Sequence, residues 1–308
     1  MVEVVALGEL LIDLVSTKKD VGLYDAPAFE PKAGGAPANV AVGVRRLGRT
    51  SAFIGKVGGD DFGRGLRRTL DAERVDTRGL IDDPEALTTL ALVSHNTKGD
   101  PAFAFFEGAH LNLTPADLDA DLIRRAHIFH FGSVTLTRPP ASTATLEALK
   151  IAKSARVITS FDINWRPAVW HGKGIEAAAA PLQEVDVIKM NEGELTLVTG
   201  IDEPRVALRR LDVPARLVLI TLGEKGCLFR LKGEVGIANA PQVREVIDAT
   251  GAGDAFTAAI LAGLPSNLDA LSMDSLKALA TRACRAGALT TTRRGAIPAL
   301  PTIAELGE

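Results

Sequence analysis

Short runs that are apolar at nearly every position alternate with longer stretches of helical period along this chain. The runs are Val2–Leu7, Ser51–Lys56, Ala126–Phe131, Val157–Phe161, Val185–Lys189 and Leu217–Thr221. Because they are continuous rather than alternating, they predict strands covered on both faces. Between them, Pro37–Leu47, Phe62–Ala72, Pro115–Arg125, Ser142–Ser154 and Glu192–Val198 read as helices. Strands separated by helices make βαβ units, so the pattern predicts an α/β fold whose mostly parallel sheet carries helices on both faces. Ligands of such a sheet gather at the carboxyl ends of its strands.

Two stretches break the alternation. Ile12–Ala33 follows the first strand without a helix, and Thr88–Phe106 reads as two strands around the turn Asn96–Asp100. They are expected to pair into a small sheet that either covers the site as a lid or forms an ordinary edge hairpin. A lid would exclude water, which competes with an acceptor for an activated group. Further on, Cys227–Leu231 and Glu234–Ala238 read as a hairpin and the Ala177–Ala180 run as helical. Ala252–Leu264 and Ser275–Thr291 read as the last helices. One domain over 1–308, with a lid drawn from segments 12–33 and 88–106, accounts for the pattern.

Composition narrows the function classes. The 308 residues carry a net charge of −3, with Lys and Arg scattered. Neither nucleic acid nor a membrane is expected as a partner, and no stretch approaches the length of a membrane span. The start Met1–Gly8 has no basic leader, and two cysteines, Cys227 and Cys284, are too few for a disulfide framework. Both features point to the cytoplasm. Each thiol sits among apolar residues and is expected to be packed. The five His and two Cys show no metal-ligand spacing.

Candidate chemistry concentrates in Val246-Ile-Asp-Ala-Thr-Gly-Ala-Gly-Asp254-Ala-Phe256. Small residues opening a helix leave backbone N–H groups aimed at one point, with the positive end of the dipole behind them: an anion hole. Asp254, at its edge, would take a proton while the hole holds charge forming on a phosphoryl group. The plain alternative is a turn followed by a helix-stabilising Asp. A dinucleotide site fits less well, because Phe256 replaces the third glycine and the segment lies late in the chain. No Gly-Lys is followed by Ser or Thr, so a Walker-type P-loop is absent.

Other candidates stand at predicted strand ends. Asp13 can accept hydrogen bonds from adjacent sugar hydroxyls or cap a turn. Gly34 and Gly35 let backbone approach a ligand, and Asn39 offers donor and acceptor, at what is also a helix start with Pro37 in its first turn. Asp162, Asn164 and Arg166 share one side of an extended segment, as substrate or phosphate contacts or as a surface ion-pair cluster. Asn191 and Glu194 fit a capping box, or hold a water-coated Mg2+ near phosphates. Thr221, Gly223 and Gly226 suit a nucleotide's phosphates or ribose, or a hairpin connection.

In chain order, over Val2–Pro301, these segments resemble the ribokinase-like (PfkB-type) carbohydrate kinase family. The specific motifs are Gly-Gly-x-x-x-Asn at Gly34–Asn39, the Gly58-Gly-Asp-Asp-Phe-Gly63 that follows, and Asp248-Ala-Thr-Gly-Ala-Gly-Asp254. The resemblance implies a Rossmann-like αβα sandwich with a small β-sheet lid, and ATP with Mg2+. It implies Asp254 as catalytic base and Gly251, Ala252 and Gly253 as the anion hole. Asp13, Gly34, Gly35 and Asn39 would hold the sugar, with Phe105 of the lid and Asp162, Asn164 and Arg166 completing that side. Asn191 and Glu194 would serve Mg2+ and phosphate, and Thr221, Gly223, Lys225 and Gly226 the nucleotide. Cys284 stands near the adenine, where members often carry Asn. Many members bind a monovalent cation, and K+ would lie by Asp248, Thr250 and the backbone of Arg293–Gly295. A homodimer joined through the lid is a further implication.

Within the family, Gly34–Val42, His130–Leu136 and Asp162-x-Asn-x-Arg166 look most like fructokinases. The expected reaction moves the γ-phosphoryl group of ATP to a primary hydroxyl of fructose, giving fructose 6-phosphate. The alternatives are a 2-keto-3-deoxygluconate kinase, a nucleoside kinase, and a sugar-binding sensor on a silent kinase fold. Glu107 follows the lid aromatics. Facing the pocket, it would repel an anionic acceptor and favour a neutral sugar.

Overall fold

The computed structural model describes residues 2–94 and 102–307. Its strands are β1 (Val4–Leu7), β2 (Leu11–Ser16), β3 (Phe29–Gly34), β4 (Ser51–Gly58), β5 (Asp76–Asp83), β6 (Leu90–Ser94) and β7 (Ala102–Phe106). They continue with β8 (Ile128–Gly132), β9 (Ile158–Asp162), β10 (Val187–Asn191), β11 (Leu217–Thr221), β12 (Cys227–Leu231) and β13 (Glu234–Ala238). The helices are α1 (Ala36–Arg46), α2 (Asp61–Ala72), α3 (Ala120–Arg124), α4 (Ala141–Ser154), α5 (Ile175–Ala179), α6 (Glu192–Thr199), α7 (Pro204–Arg210), α8 (Ala252–Gly263) and α9 (Met273–Thr290).

The large sheet runs β13-β12-β11-β10-β9-β8-β1-β4-β5. Neighbours from β5 to β11 are parallel, and β12 and β13 extend the sheet as an antiparallel hairpin. Both faces are covered, as the continuous apolar runs predict. Val4 and Ala6 pack with α1, α2, α8 and α9, whereas Val5 and Leu7 face the core under α4, α6 and α7. Phe53, Phe129, Phe131 and Phe161 are fully buried in these two layers, each worth about 1.5–3 kcal/mol relative to exposure. The chain leaves β1 toward β4 and β5 on one side and later fills β8 to β11 on the other. Strand order therefore reverses at β1, and a crevice opens there at the carboxyl ends.

The two irregular stretches meet in a separate sheet of order β3-β2-β6-β7. The turn expected at 96–100 lies outside the described residues. Asp60 joins this sheet to the main body. Its carboxylate caps α2 by accepting from the Gly63 N–H (2.8 Å), and it also accepts from the Thr88 N–H and hydroxyl (both 2.7 Å). An N-cap of this kind contributes about 1 kcal/mol, and here it also fixes the root of β6.

The helix expected over Pro115–Arg125 is broken. A 3-10 turn, Pro115–Asp117, precedes the short α3. Asp117 folds back to the Thr114 N–H (2.8 Å) and pairs with Lys56 (2.8 Å), while Asp119 caps α3 at the Leu122 N–H (2.9 Å). Two local caps beat one continuous ladder. Strand β5 and helix α7 lie where no element was expected. Among the described residues no helix is long and apolar enough to cross a membrane.

Candidate active site

Asp254 lies in the first turn of α8, over the crevice. The turn before it is forced by Gly251, whose φ of +80° suits glycine and whose missing β-carbon would meet Ala296 Cα at 2.9 Å. The helical ladder starts with Ala255 N–H to the Gly251 carbonyl (2.8 Å), so the preceding amides stand outside it. The Ala252 N–H is taken by the Ala249 carbonyl (3.2 Å). Gly253 and Asp254 then carry the positive end of α8 toward the crevice.

Of the residues expected to hold the sugar, Asn39 touches Asp254 and Asp13 lies within its electrostatic reach. Asn39, on α1 and 4% exposed, donates its side-chain N–H to Asp254 Oδ2 at 2.8 Å, while its Oδ1 is buried without a partner. Asp13 stands on β2 opposite Lys32 of β3. A β-carbon on Gly34 would sit 2.2 Å from Asp13 Oδ2, so the glycine leaves the carboxylate its place. Gly35, at φ +109°, bends the chain into α1. Phe105 shares a row with Ala91 and Asp13 across β7, β6 and β2, and its ring meets His110 edge-on at 5.7 Å. Glu9 is a member the sequence reading missed. It is buried just beyond β1, and its Oε1 accepts from the Ala36 N–H (2.8 Å) at the start of α1, which has no side-chain cap of its own.

The row Asp162–Arg166 is not an extended segment. Strand β9 ends at Asp162, and Asn164 turns the chain at φ +37° with its N–H on Asp162 Oδ1 (3.2 Å). Asp162 is paired instead with Lys189 on the adjacent strand, at 3.0 Å to Oδ2 and 3.2 Å to Oδ1. Lys189 is 7% exposed, and its Nζ lies 3.3 Å from where a β-carbon on Gly253 would be. Sequence reading placed Lys189 only as a strand end. A lone charged residue in the apolar run Val187–Met190 was the available signal, since a buried ammonium needs a partner. Arg166 is exposed, and its charge reaches Glu9, Asp13 and Asp254.

The Asn191–Glu194 capping box forms, with both reciprocal bonds at 2.8 Å, and Glu194 Oε1 also accepts from the Trp165 N–H (2.8 Å). Thr221 ends β11 beside Asn191, and the turn Gly223–Lys225 follows it on the surface. Gly226 is buried behind that turn. Cys284 is buried against the Ala238 carbonyl (Sγ–O 3.9 Å), and burial pushes its thiol up to about 11. Asp248 accepts from Thr250 N–H (2.9 Å) and Gly295 N–H (2.8 Å), knitting the turn before α8 to the 293–295 loop. The Arg293 side chain points away to Glu305.

Glu107 does not present a free charge to the crevice. Its carboxylate binds Arg138 (3.1 Å) and His171 (2.8 Å), which hold it below the usual carboxylate range. The charge expected to repel an anionic acceptor, if it faced the pocket, is thus balanced locally.

This chain matches the family model for pfkB family carbohydrate kinases over residues 1–303. It belongs to the pfkB family of carbohydrate kinases. It is 42% identical to fructokinase-1 of Zea mays, over 98% of this chain and 96% of that protein. Among solved structures, it resembles a fructokinase from Vibrio cholerae O395 with fructose, ADP and calcium bound, at 32% identity and a TM-score of 0.86, covering 100% of this chain and 98% of that one. It also resembles an E. coli structure described as ribokinase II, with ATP and Mg2+ bound, at 27% identity and a TM-score of 0.86, covering 100% of this chain and 98% of that one.

The electrostatics of this carbohydrate kinase suit proton transfer. Burial pushes Asp254 up to about 6, opposed by the Asn39 hydrogen bond and by Lys189 and Arg166, and reinforced by Asp162. Burial likewise raises Glu9 and Asp13 to about 7. A carboxylate poised near 6 is ionised at neutral pH yet holds a proton more firmly than an exposed aspartate, as a general base must.

Proposed function

We propose that this chain is an ATP-dependent fructokinase, moving the γ-phosphoryl group of ATP to a primary hydroxyl of fructose. The observation that carries the reading is the Asn39–Asp254 hydrogen bond of 2.8 Å, which ties the acceptor loop to the first turn of α8. Asp254 takes the hydroxyl proton. Asn39 Oδ1, Asp13 and the Gly34–Gly35 backbone receive the sugar, with Phe105 and Arg166 at its margin. The amides of Gly253 and Asp254, with Gly251 shaping the turn, face the charge that develops on the transferring group; the Ala252 N–H, expected among them, is taken by the Ala249 carbonyl. Positioning and electrostatics supply most of the rate in such a reaction. Thr221, Gly223, Lys225 and Gly226 line the nucleotide side, with Cys284 packed behind them.

Asn191 and Glu194, joined as the capping box of α6, are the oxygen donors that would serve Mg2+; among the described residues no three acidic, His or Cys side chains gather to cage a metal by themselves. Both Glu194 oxygens already accept backbone N–H groups, so Mg2+ would be held through waters and the nucleotide's phosphates. When bound it neutralises charge on the β- and γ-oxygens. The junction of Asp248, Thr250 and the 293–295 backbone is the place for K+. The smaller sheet acts as a lid over the sugar. Two copies pair along its β7 edge, where Phe106 is 57% exposed. The two buried free cysteines support a reducing, cytoplasmic setting.

A coupled ADP-release assay over fructose, ribose, 2-keto-3-deoxygluconate and adenosine tests the reading, with the highest kcat/KM expected for fructose. 2-Keto-3-deoxygluconate is the second reading. Glu107 is neutralised by its partners, and the exposed Arg166 guanidinium would suit an acceptor carboxylate. A higher kcat/KM for that acid would replace fructose, and binding without phosphate transfer would make the chain a sensor.

A further inference from the structure

The Lys189 ammonium occupies an electrostatically adverse position. Strand β10 buries it, and Gly253 leaves it room at the start of α8, where a cation faces the positive end of the helix. A purely structural ion pair gains nothing from that neighbour. An anion lying against the turn reverses the sign: helix end and ammonium then act on it together. Asp162 supplies the waiting partner. It holds Nζ at 3.0 and 3.2 Å from the strand next door, and β9 and β10 fix the pair in register. An ammonium has three donors, so it can keep one bond to Asp162 while turning another toward a new oxygen.

We propose that Lys189 is a catalytic residue of phosphoryl transfer: its ammonium turns from Asp162 toward the γ-phosphoryl group lying against the Gly251–Gly253 turn. Asp162 is then a positioning residue, which keeps the ammonium at the turn before the nucleotide arrives, rather than a contact to the sugar. Lys189 forms and breaks no covalent bond; it moves between two anions and stabilises charge on the equatorial oxygens. Gly253 is part of the device, since a methyl group there would stand 3.3 Å from Nζ. The inference rests on the phosphotransfer reading above but not on the identity of the sugar.

The test uses Lys189→Met, Asp162→Asn and the double variant, assayed by ADP release with the preferred sugar, with Tm recorded for each. Lys189→Met alone leaves Asp162 buried without its partner and is expected to lower Tm; the double variant removes both charges and is expected to regain it. Both lose about 10²–10³-fold in kcat, as loss of a preorganised donor does, with the sugar KM unchanged. Asp162→Asn keeps most of kcat and raises the KM for ATP. Inhibition by ADP with fluoroaluminate, which mimics the transferring group, weakens more in the double variant than ATP binding does. A double variant with wild-type Tm and kcat within about threefold of wild type overturns the assignment, since a transition-state donor costs far more than that. If neither Met variant folds, Lys189→Arg decides. The longer planar head cannot replace a point charge at this spacing, so a loss beyond about tenfold in kcat supports the assignment and wild-type turnover overturns it. A wild type that releases no ADP with any sugar overturns the phosphotransfer reading first, and this assignment with it.

Discussion

The two ends of the crevice are built differently. At the end proposed for the acceptor the parts are interlocked: Gly34 is pressed against Asp13, Asn39 is buried and bonded to Asp254, and Glu9 pins the start of α1. At the end proposed for the nucleotide, the Gly223–Lys225 turn lies on the surface and Gly223 has open space where a β-carbon would go. On the proposed reading, the acceptor side is packed where a small sugar must be aligned, whereas the nucleotide side is an exposed turn.

The strongest attack on this contrast falls where the two ends meet. Asp254→Asn should lower kcat by about 10²–10⁴-fold while leaving both KM values near wild type; turnover close to wild type would remove Asp254 from its role. Next, Gly34→Ala should cost on the order of 10²-fold in kcat/KM for the sugar, leaving the KM for ATP unchanged, because the new methyl displaces Asp13. At the open end, Gly223→Ala meets no neighbour but must hold φ +60°. A left-handed residue with a β-carbon costs about 1–2 kcal/mol, so only the KM for ATP should rise, by roughly tenfold at most. Equal losses in the two glycine variants would erase the difference between the ends.

Smaller effects come from charge. The acid limb of kcat/KM should lie near pH 6, where Asp254 protonates, rather than near the usual aspartate value. Stability runs the other way. Asp254, Glu9 and Asp13 hold protons more firmly folded than unfolded, so their contribution is present at low pH and is lost as pH rises from about 4 toward 7. Asp254→Asn should therefore raise Tm at pH 8 and leave it unchanged well below pH 4, which thermal scans of both proteins would check.

The layers of the fold were legible because its strands are apolar on both sides and its helices fill the gaps between them. Strand β5 was not, because Asp76, Asp82 and Asp83 bracket an edge strand whose apolar part is short. The helix over Pro115–Arg125 failed because competing caps at Thr114 and Asp119 are stronger local signals than its period. In the site, Asp254, Asn39 and the glycines were readable from residue type and spacing. Their bond was not, since it joins residues 215 apart. Lys189 was hidden for a related reason. Its partner is set by the register of two strands, which no single run of sequence displays. Glu107 shows the limit of reading charge without geometry: its neighbours Arg138 and His171 come from other parts of the chain.

The two cysteines carry one more consequence. Both are buried, Cys227 entirely, and burial raises both thiols far above neutrality. Maleimide dyes will therefore ignore the native protein and react only with cysteines introduced at open positions. Tyr24, 99% exposed in the smaller sheet's connecting loop, and Val246, 60% exposed between β13 and α8, are two such positions. A donor and an acceptor dye placed there turn the chain into an optical ruler, on which motion of one sheet against the other can be read without first stripping the protein of its own sulfur.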